Sequence, residues 1–237
     1  MVKTMSHKTD KTPGEGDSSP TEDRSEWTQQ QWADYARAGN KDLEGANLKG
    51  ATLVGMDLED ANLKRANLED TRIGGSNFNG ADLEEANLKG ANALEASFEK
   101  ANLKGADLRQ SFFWKAVMDS ANLSGADLEA AYLNHAILVG ATLNGAYLQN
   151  TNLTGANLRW ASMKAWLKGA NLKGATLLGA DLEEAELEGA NLERADLGGA
   201  NLRGSYLHLA HIEGARLRGA NLEGYDLDLL RKLVAGF

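Results

Sequence analysis

Ala46-Asn47-Leu48-Lys49-Gly50 returns as Ala101-Asn102-Leu103-Lys104-Gly105, and from Lys41 to Leu229 the chain keeps this five-residue beat with a single slip. Counting from Lys41 gives 38 consecutive units, of which 30 carry Leu at the third position and 30 carry Ala at the first. Asn, Asp or Thr prevails at the second position and Gly is frequent at the fifth. Self-similarity at a fixed short period is the mark of a stacked repeat architecture.

A period of five matches neither the 3.6 of an amphipathic helix nor the 2 of a long half-buried strand, so the direction must be reset in every unit. Within a unit the first and third residues lie two apart, which in an extended stretch puts Ala46 and Leu48 on the same, interior side. The fourth and fifth residues must then turn a corner, a role that suits Gly. If each corner is roughly a right angle, four units close a coil of 20 residues, and coils stack at about 4.8 Å.

Two patterns in the sequence test the number 20. Ala93, the one undersized third-position residue, lies 20 before the bulky Phe113, and Phe78 lies 20 before Phe98, as close packing favours. Outward charges also alternate in sign at that spacing: Glu44, then Lys64 and Arg65, then Glu84 and Glu85, then Lys104. The next face runs Lys49, Glu69 and Asp70, Lys89, as cross-strand ion pairs require. At four units per coil the 38 units make about nine coils and a tube roughly 45 Å long.

With these residues the chain resembles the pentapeptide-repeat proteins, whose pattern is written A-(D/N)-L-x-x, over about four fifths of its length. The resemblance implies an all-β solenoid, a right-handed quadrilateral parallel β-helix with Ala and Leu inside. The handedness is the part the spacing does not supply.

The slip is Ala161-Ser162-Met163-Lys164, one residue short, which moves the Ala phase from 156 and 161 to 165 and 170. It reads as a local irregularity in preference to a functional hinge. Residues 1–24 are polar, hold both prolines and have the composition of a disordered tail. Residues 25–39 read as an N-terminal capping helix, with Ser25 as its cap, Trp27, Trp32 and Tyr35 as its apolar surface and Gly39 as its stop. Residues 40–229 are the β-helix. At the far end Asp226 can cap a short helix through Lys232, so that 230–237 closes the last coil. The alternative for that end, which the family resemblance supports, is a homodimer contact.

There are no cysteines, so disulfides and thiol catalysis are excluded. Without a secretory or membrane-spanning segment, a soluble cytoplasmic protein is expected, with no membrane partner. The net charge of -9 and the dispersion of basic residues among acids argue against direct nucleic-acid binding. His7, His135, His208 and His211 read as surface residues and not as metal ligands. Carboxylates form an outward lattice around a filled interior, and no nucleotide-binding glycine loop is present. A non-enzyme without cofactors is the expectation.

Outward positions in the middle coils differ from the rest. Phe112, Trp114, Val117, Tyr132, Ile137, Val139, Tyr147, Trp160 and Trp166 stand where other units carry Asn, Asp, Glu or Lys. Phe112, Trp114 and Tyr132 fall on one face and Val117, Ile137, Val139 and Trp160 on its neighbour, so a single apolar corner patch is expected. Residues 130–180 hold no Asp or Glu but keep Arg159, Lys164, Lys168 and Lys173, a basic, aromatic belt. Either the belt is a protein interface, for which aromatic residues and Arg are common anchors, or these side chains only stack on neighbouring coils.

Two functions follow. One is a rigid protein-binding or scaffold module with an unidentified protein partner. The other, suggested by the family resemblance, is a DNA mimic that binds a type II topoisomerase such as gyrase. The acidic stretch Asp181, Glu183, Glu184, Glu186 and Glu188 supports mimicry, while the acid-free belt interrupts it.

Overall fold

The computed structural model describes residues 24–225. The expected C-terminal helix and cap over 226–237 lie outside the described residues. So does the expected polar tail, apart from Arg24.

Every second-position residue pairs in parallel with its counterpart one coil on, beginning Asp42 with Asn62, Asn47 with Asn67, Thr52 with Arg72 and Asp57 with Asn77. Four ladders therefore run the length of a four-sided parallel solenoid, and we name its faces by their first residues: Asp42, Asn47, Thr52 and Asp57. The backbone explains the pairing. Asn62 donates its N–H to the Lys41 carbonyl behind it (2.8 Å), and its carbonyl accepts from Leu43 N–H (2.7 Å).

The corners are β-turns in which the first residue of one unit donates to the third residue of the unit before, as Ala46 does to Leu43 (3.0 Å). The fifth residue is left-handed, with φ of 67° at Gly50. Non-glycine residues occupy the same conformation, among them Asp60 at 55° and Trp160 at 55°. Gly is thus favoured at the corner but not required, because the turn and ladder hydrogen bonds offset a left-handed penalty of about 1–2 kcal/mol.

First and third positions fill the tube. Ala46, Leu48, Ala101 and Leu103 have no exposed surface. Phe78 and Phe98 stack with centroids 4.8 Å apart and rings within 2° of parallel, and Phe113 tilts against Phe98 at 5.4 Å. Where Ser or Thr replaces Ala, its buried hydroxyl finds a carbonyl: Thr71 donates to Leu68 O and Ser76 to Leu53 O, both at 2.7 Å.

Asn and Asp at the second position serve two bonds. Asn77 Oδ1 accepts from the N–H of Asn79, two residues on (3.0 Å), closing the turn. Asn102 Nδ2 reaches back one coil to the Asp82 carboxylate (3.0 Å), and Asn122 Nδ2 to Asn102 Oδ1 (3.3 Å). A side-chain ladder thereby runs beside the backbone ladder.

At residues 161–164 the ladder spacing drops by one, so that Ser162 pairs with Asp181 and Tyr147 with Trp166, and then returns to 20 at Trp166 with Glu186. Asn144 bridges the short corner. Its Oδ1 accepts from Ser162 Oγ (2.9 Å) and from Lys164 N–H (3.1 Å).

Helix α1 spans Gln29–Arg37 and closes the first coil with Trp32, Ala33 and Ala36. Its cap is Thr28, not Ser25. A reciprocal capping box joins Thr28 and Gln31, the pairing that Ser25 has no Glu or Gln at the right distance to make. Trp27, Trp32 and Tyr35 pack on one another, and the Arg24 guanidinium lies over the Tyr35 ring at 4.4 Å.

Candidate interaction surface

Phe112 and Tyr132 are neighbours on the Thr52 ladder and stack face to face, 5.0 Å apart and within 6° of parallel. Each keeps 45% of its surface exposed, so the stack is an outer layer and not part of the core. Trp114 follows in the turn, half-buried, with Lys115 Nζ 4.1 Å above its ring. Val117 and Ile137 pair on the adjoining Asp57 ladder and are half-buried. These five side chains wrap one corner of the tube.

Val139 and Trp160 stand at the next corner round, between the Asp57 and Asp42 faces. Trp160 is 66% exposed, and its indole lies across Gly179, where an added Cβ would come within 2.7 Å of Cδ1. Tyr147 and Trp166 form a third aromatic pair on the Asn47 ladder, 4.6 Å apart. The apolar residues of the middle coils thus sit in three separate places.

Two residues join the first corner that the sequence did not single out. Val54 and Leu94 occupy the same turn position as Trp114, three coils and one coil earlier in steps of 20, with Gly74 between them; they are 57% and 42% exposed. The 20-residue register carried down from Trp114 finds both. Both lie outside the middle coils where the aromatic residues cluster.

Electrostatics change on folding. Lys164, Lys168 and Lys173 lie in the acid-free segment, yet each meets an acid one coil on: Glu183 at 2.7 Å, Glu188 at 3.2 Å and Glu193 at 2.5 Å. Three of the belt's four basic residues are thus paired in space, and Arg159 makes no ion pair among the described residues. The same bonds disperse the acidic stretch. Glu183 lies between Lys164 and Arg203, whose hydrogen bonds, that of Lys164 foremost, hold its carboxyl below the usual range. Asp181 accepts from Asn201 (3.1 Å), and Glu186 and Glu188 lie on the neighbouring Asn47 face. Asp181, Glu184 and Glu186 of the five lack an ion pair among the described residues.

The alternation of charge between coils is seen in Lys49–Glu69 (2.8 Å), Lys104–Glu84 (3.3 Å), Lys64–Asp82 (3.1 Å) and the contact of Arg65 with Glu44. Among the described residues no group of three or more His, Asp or Glu side chains is arranged to hold a metal, and no helix is long and apolar enough to cross a membrane.

The family pattern described as pentapeptide repeats matches in overlapping copies that cover residues 42–164 and 165–224 and break at the four-residue unit. Among solved structures, the chain is similar to HetL, a pentapeptide repeat protein involved in heterocyst differentiation regulation in the cyanobacterium Nostoc sp. strain PCC 7120. Identity is 34%, the match covers 80% of this chain and 96% of HetL, and the TM-score is 0.55. It is also similar to a thylakoid-lumen pentapeptide repeat protein of Arabidopsis thaliana, at 31% identity over 48% of this chain and 80% of that one, with a TM-score of 0.45. A third is QnrB1, a plasmid-mediated fluoroquinolone resistance protein, at 23% identity over 76% and 95%, with a TM-score of 0.35. No curated protein matches the chain. A pattern match over most of the chain, together with shared fold and identity across nearly the whole of HetL, shows that the chain belongs to the pentapeptide-repeat proteins, a family of repeat scaffolds.

Proposed function

We propose that this protein is a non-catalytic binding scaffold that holds a protein partner against the apolar corner formed by Phe112, Trp114, Val117, Tyr132 and Ile137. The observation that carries the reading is the exposed Phe112–Tyr132 stack. Most units carry Asn, Asp or Thr there, with the turn and ladder bonds those side chains make, and these two forgo both. A stacked, solvent-facing aromatic pair with further apolar residues beside it is an interface signature. Following the family resemblance, we also take the tube to be right-handed, with about nine coils.

The test is affinity capture from a native lysate with the tagged protein and with a Phe112→Ser, Trp114→Ser, Tyr132→Ser variant of unchanged melting temperature. A partner retained by the parent and lost by the variant is expected. Equal capture by both sinks the reading.

The DNA-mimic alternative draws on the acids that outnumber bases on the Asp42, Asn47 and Asp57 faces. It needs a continuous negative surface. Glu183 and Glu188, two of the five acids of the proposed stretch, are instead paired with cations. A gyrase supercoiling assay with and without the protein reads this directly, and inhibition would favour it.

A further inference from the structure

The corner between the Thr52 and Asp57 faces bears a longer apolar ridge than the aromatic residues alone mark. Val54, Leu94 and Trp114 share one turn position, with Gly74 between the first two and with Phe112 and Tyr132 beside them, over five coils and therefore about 19 Å at strand spacing. Between Val54 and Leu94 the ridge is notched. Gly74 and Gly75 leave a hollow whose wall includes Arg72 and Asn92, and a Cβ at Gly74 would press within 3.3 Å of the Leu94 carbonyl.

What can lie on this ridge is limited by the backbone. Arg72 N–H is bonded to Ala51 O (2.9 Å), Phe112 N–H to Ala91 O (2.9 Å) and Tyr132 N–H to Ser111 O (2.9 Å), and the carbonyls of all three accept from Leu53, Ala93 and Phe113 of the preceding coil. A partner strand has nothing here to pair with. The occupant must satisfy its own main chain and contribute side chains alone, which describes an α-helix. A helical turn of about 5.4 Å lags the coil spacing of about 4.8 Å by only about 0.6 Å per step. About 13 residues, with apolar side chains at i, i+4, i+7 and i+11, therefore meet the ridge along its length.

Charge orients that helix. Arg72 is exposed and makes no ion pair among the described residues, whereas Glu95 is engaged by Lys115 (3.9 Å). Asp57, Glu59 and Asp60 border the ridge on the Asp57 side, so an acidic residue of the partner is repelled there and drawn to the Thr52 side.

We propose that this ridge is the seat of an amphipathic α-helix of the partner, which places a carboxylate against Arg72 and an apolar side chain in the notch between Val54 and Leu94. This rests on the binding-scaffold reading and names the chemistry of what is bound.

The probe is a display library of three-helix bundles with one helix face randomised, selected on the whole protein. Recovered binders are expected to show apolar residues at i, i+4, i+7 and i+11 with an Asp or Glu alongside. Trp114→Ser or Leu94→Ser should weaken them tenfold or more. Arg72→Glu should weaken them similarly, and changing the binder's acid to Lys should restore affinity, which a merely structural role for Arg72 would not allow. Binders indifferent to these substitutions, or no rescue by charge reversal, overturn the proposal. So does light scattering that finds a dimer of the protein alone, dissociated by Trp114→Ser, because a second copy then covers the ridge. If lysate capture depends on Phe112, Trp114 and Tyr132 while the helix tests fail, the scaffold reading stands and the helix does not.

Discussion

At the scale of single residues, the corner glycines separate into two kinds that the repeat pattern treats as one. Gly50 has φ of 67° and open space where a Cβ would go, while Gly179 has φ of 65° and the Trp160 indole 2.7 Å from that point. Gly50→Ala should therefore cost about 1 kcal/mol, the left-handed penalty alone. Gly179→Ala should cost about 2 kcal/mol or more and shift the Trp160 emission as the ring is pushed off its corner. Chemical denaturation of the two variants, followed by tryptophan fluorescence, measures both, and equal losses would show that the indole does not lie on Gly179. Which glycine is which was not legible from the chain, because the decisive neighbour lies 19 residues away in another coil.

The element that invites a test is the short unit at 161–164. Its missing residue removes the left-handed corner, while Asn144 from the coil before bonds Ser162 and Lys164 just as Asn79 bonds Ser97 and Glu99 at a full-length unit. Insertion of one Gly after Lys164 restores the 20-residue register and should leave the melting temperature equal to or above that of the parent. A drop of several degrees would mean that the short corner is required by the packing of the coils beyond it. The slip itself was plain in the sequence. That the coil-to-coil bonds continue across it was not, since Asn144 meets Ser162 and Lys164 only when the coils are stacked. The N-terminal helix gives a similar lesson: aromatic spacing located it, but the capping box at Thr28 and Gln31 defines its first turn.

At the scale of the whole molecule the outer surface is an ion-pair lattice. Glu44, Asp107, Glu183 and Glu193 are held below the ordinary carboxyl range, chiefly by hydrogen bonds from Arg65, Arg109, Lys164 and Lys173 respectively. A carboxyl whose folded pKa is depressed stabilises the fold fully above its unfolded value near 4, and that contribution is lost as pH falls through the lower folded value. Melting temperature should be level from about pH 7 to 5 and decline below about pH 4, less steeply in high salt, where exposed pairs are screened. A melting temperature that rose on acidification would contradict this arrangement.

Taken alone, the sequence determined the tube: Ala and Leu two residues apart inside, a turn at every fourth and fifth position, and a 20-residue coil confirmed by the Phe78–Phe98 stack and the alternating charges. That much is local, repeated along the chain and enforced by burial. Only the stacked structure decided the surface. It set acids beside Lys164, Lys168 and Lys173 in a belt that is basic along the chain, divided the aromatic residues among three places, and joined Val54 and Leu94 to Trp114 in one ridge. Outward side chains interact with partners 19 or 20 residues away, across coils rather than along them, so their meaning becomes visible when the coils are laid one upon another.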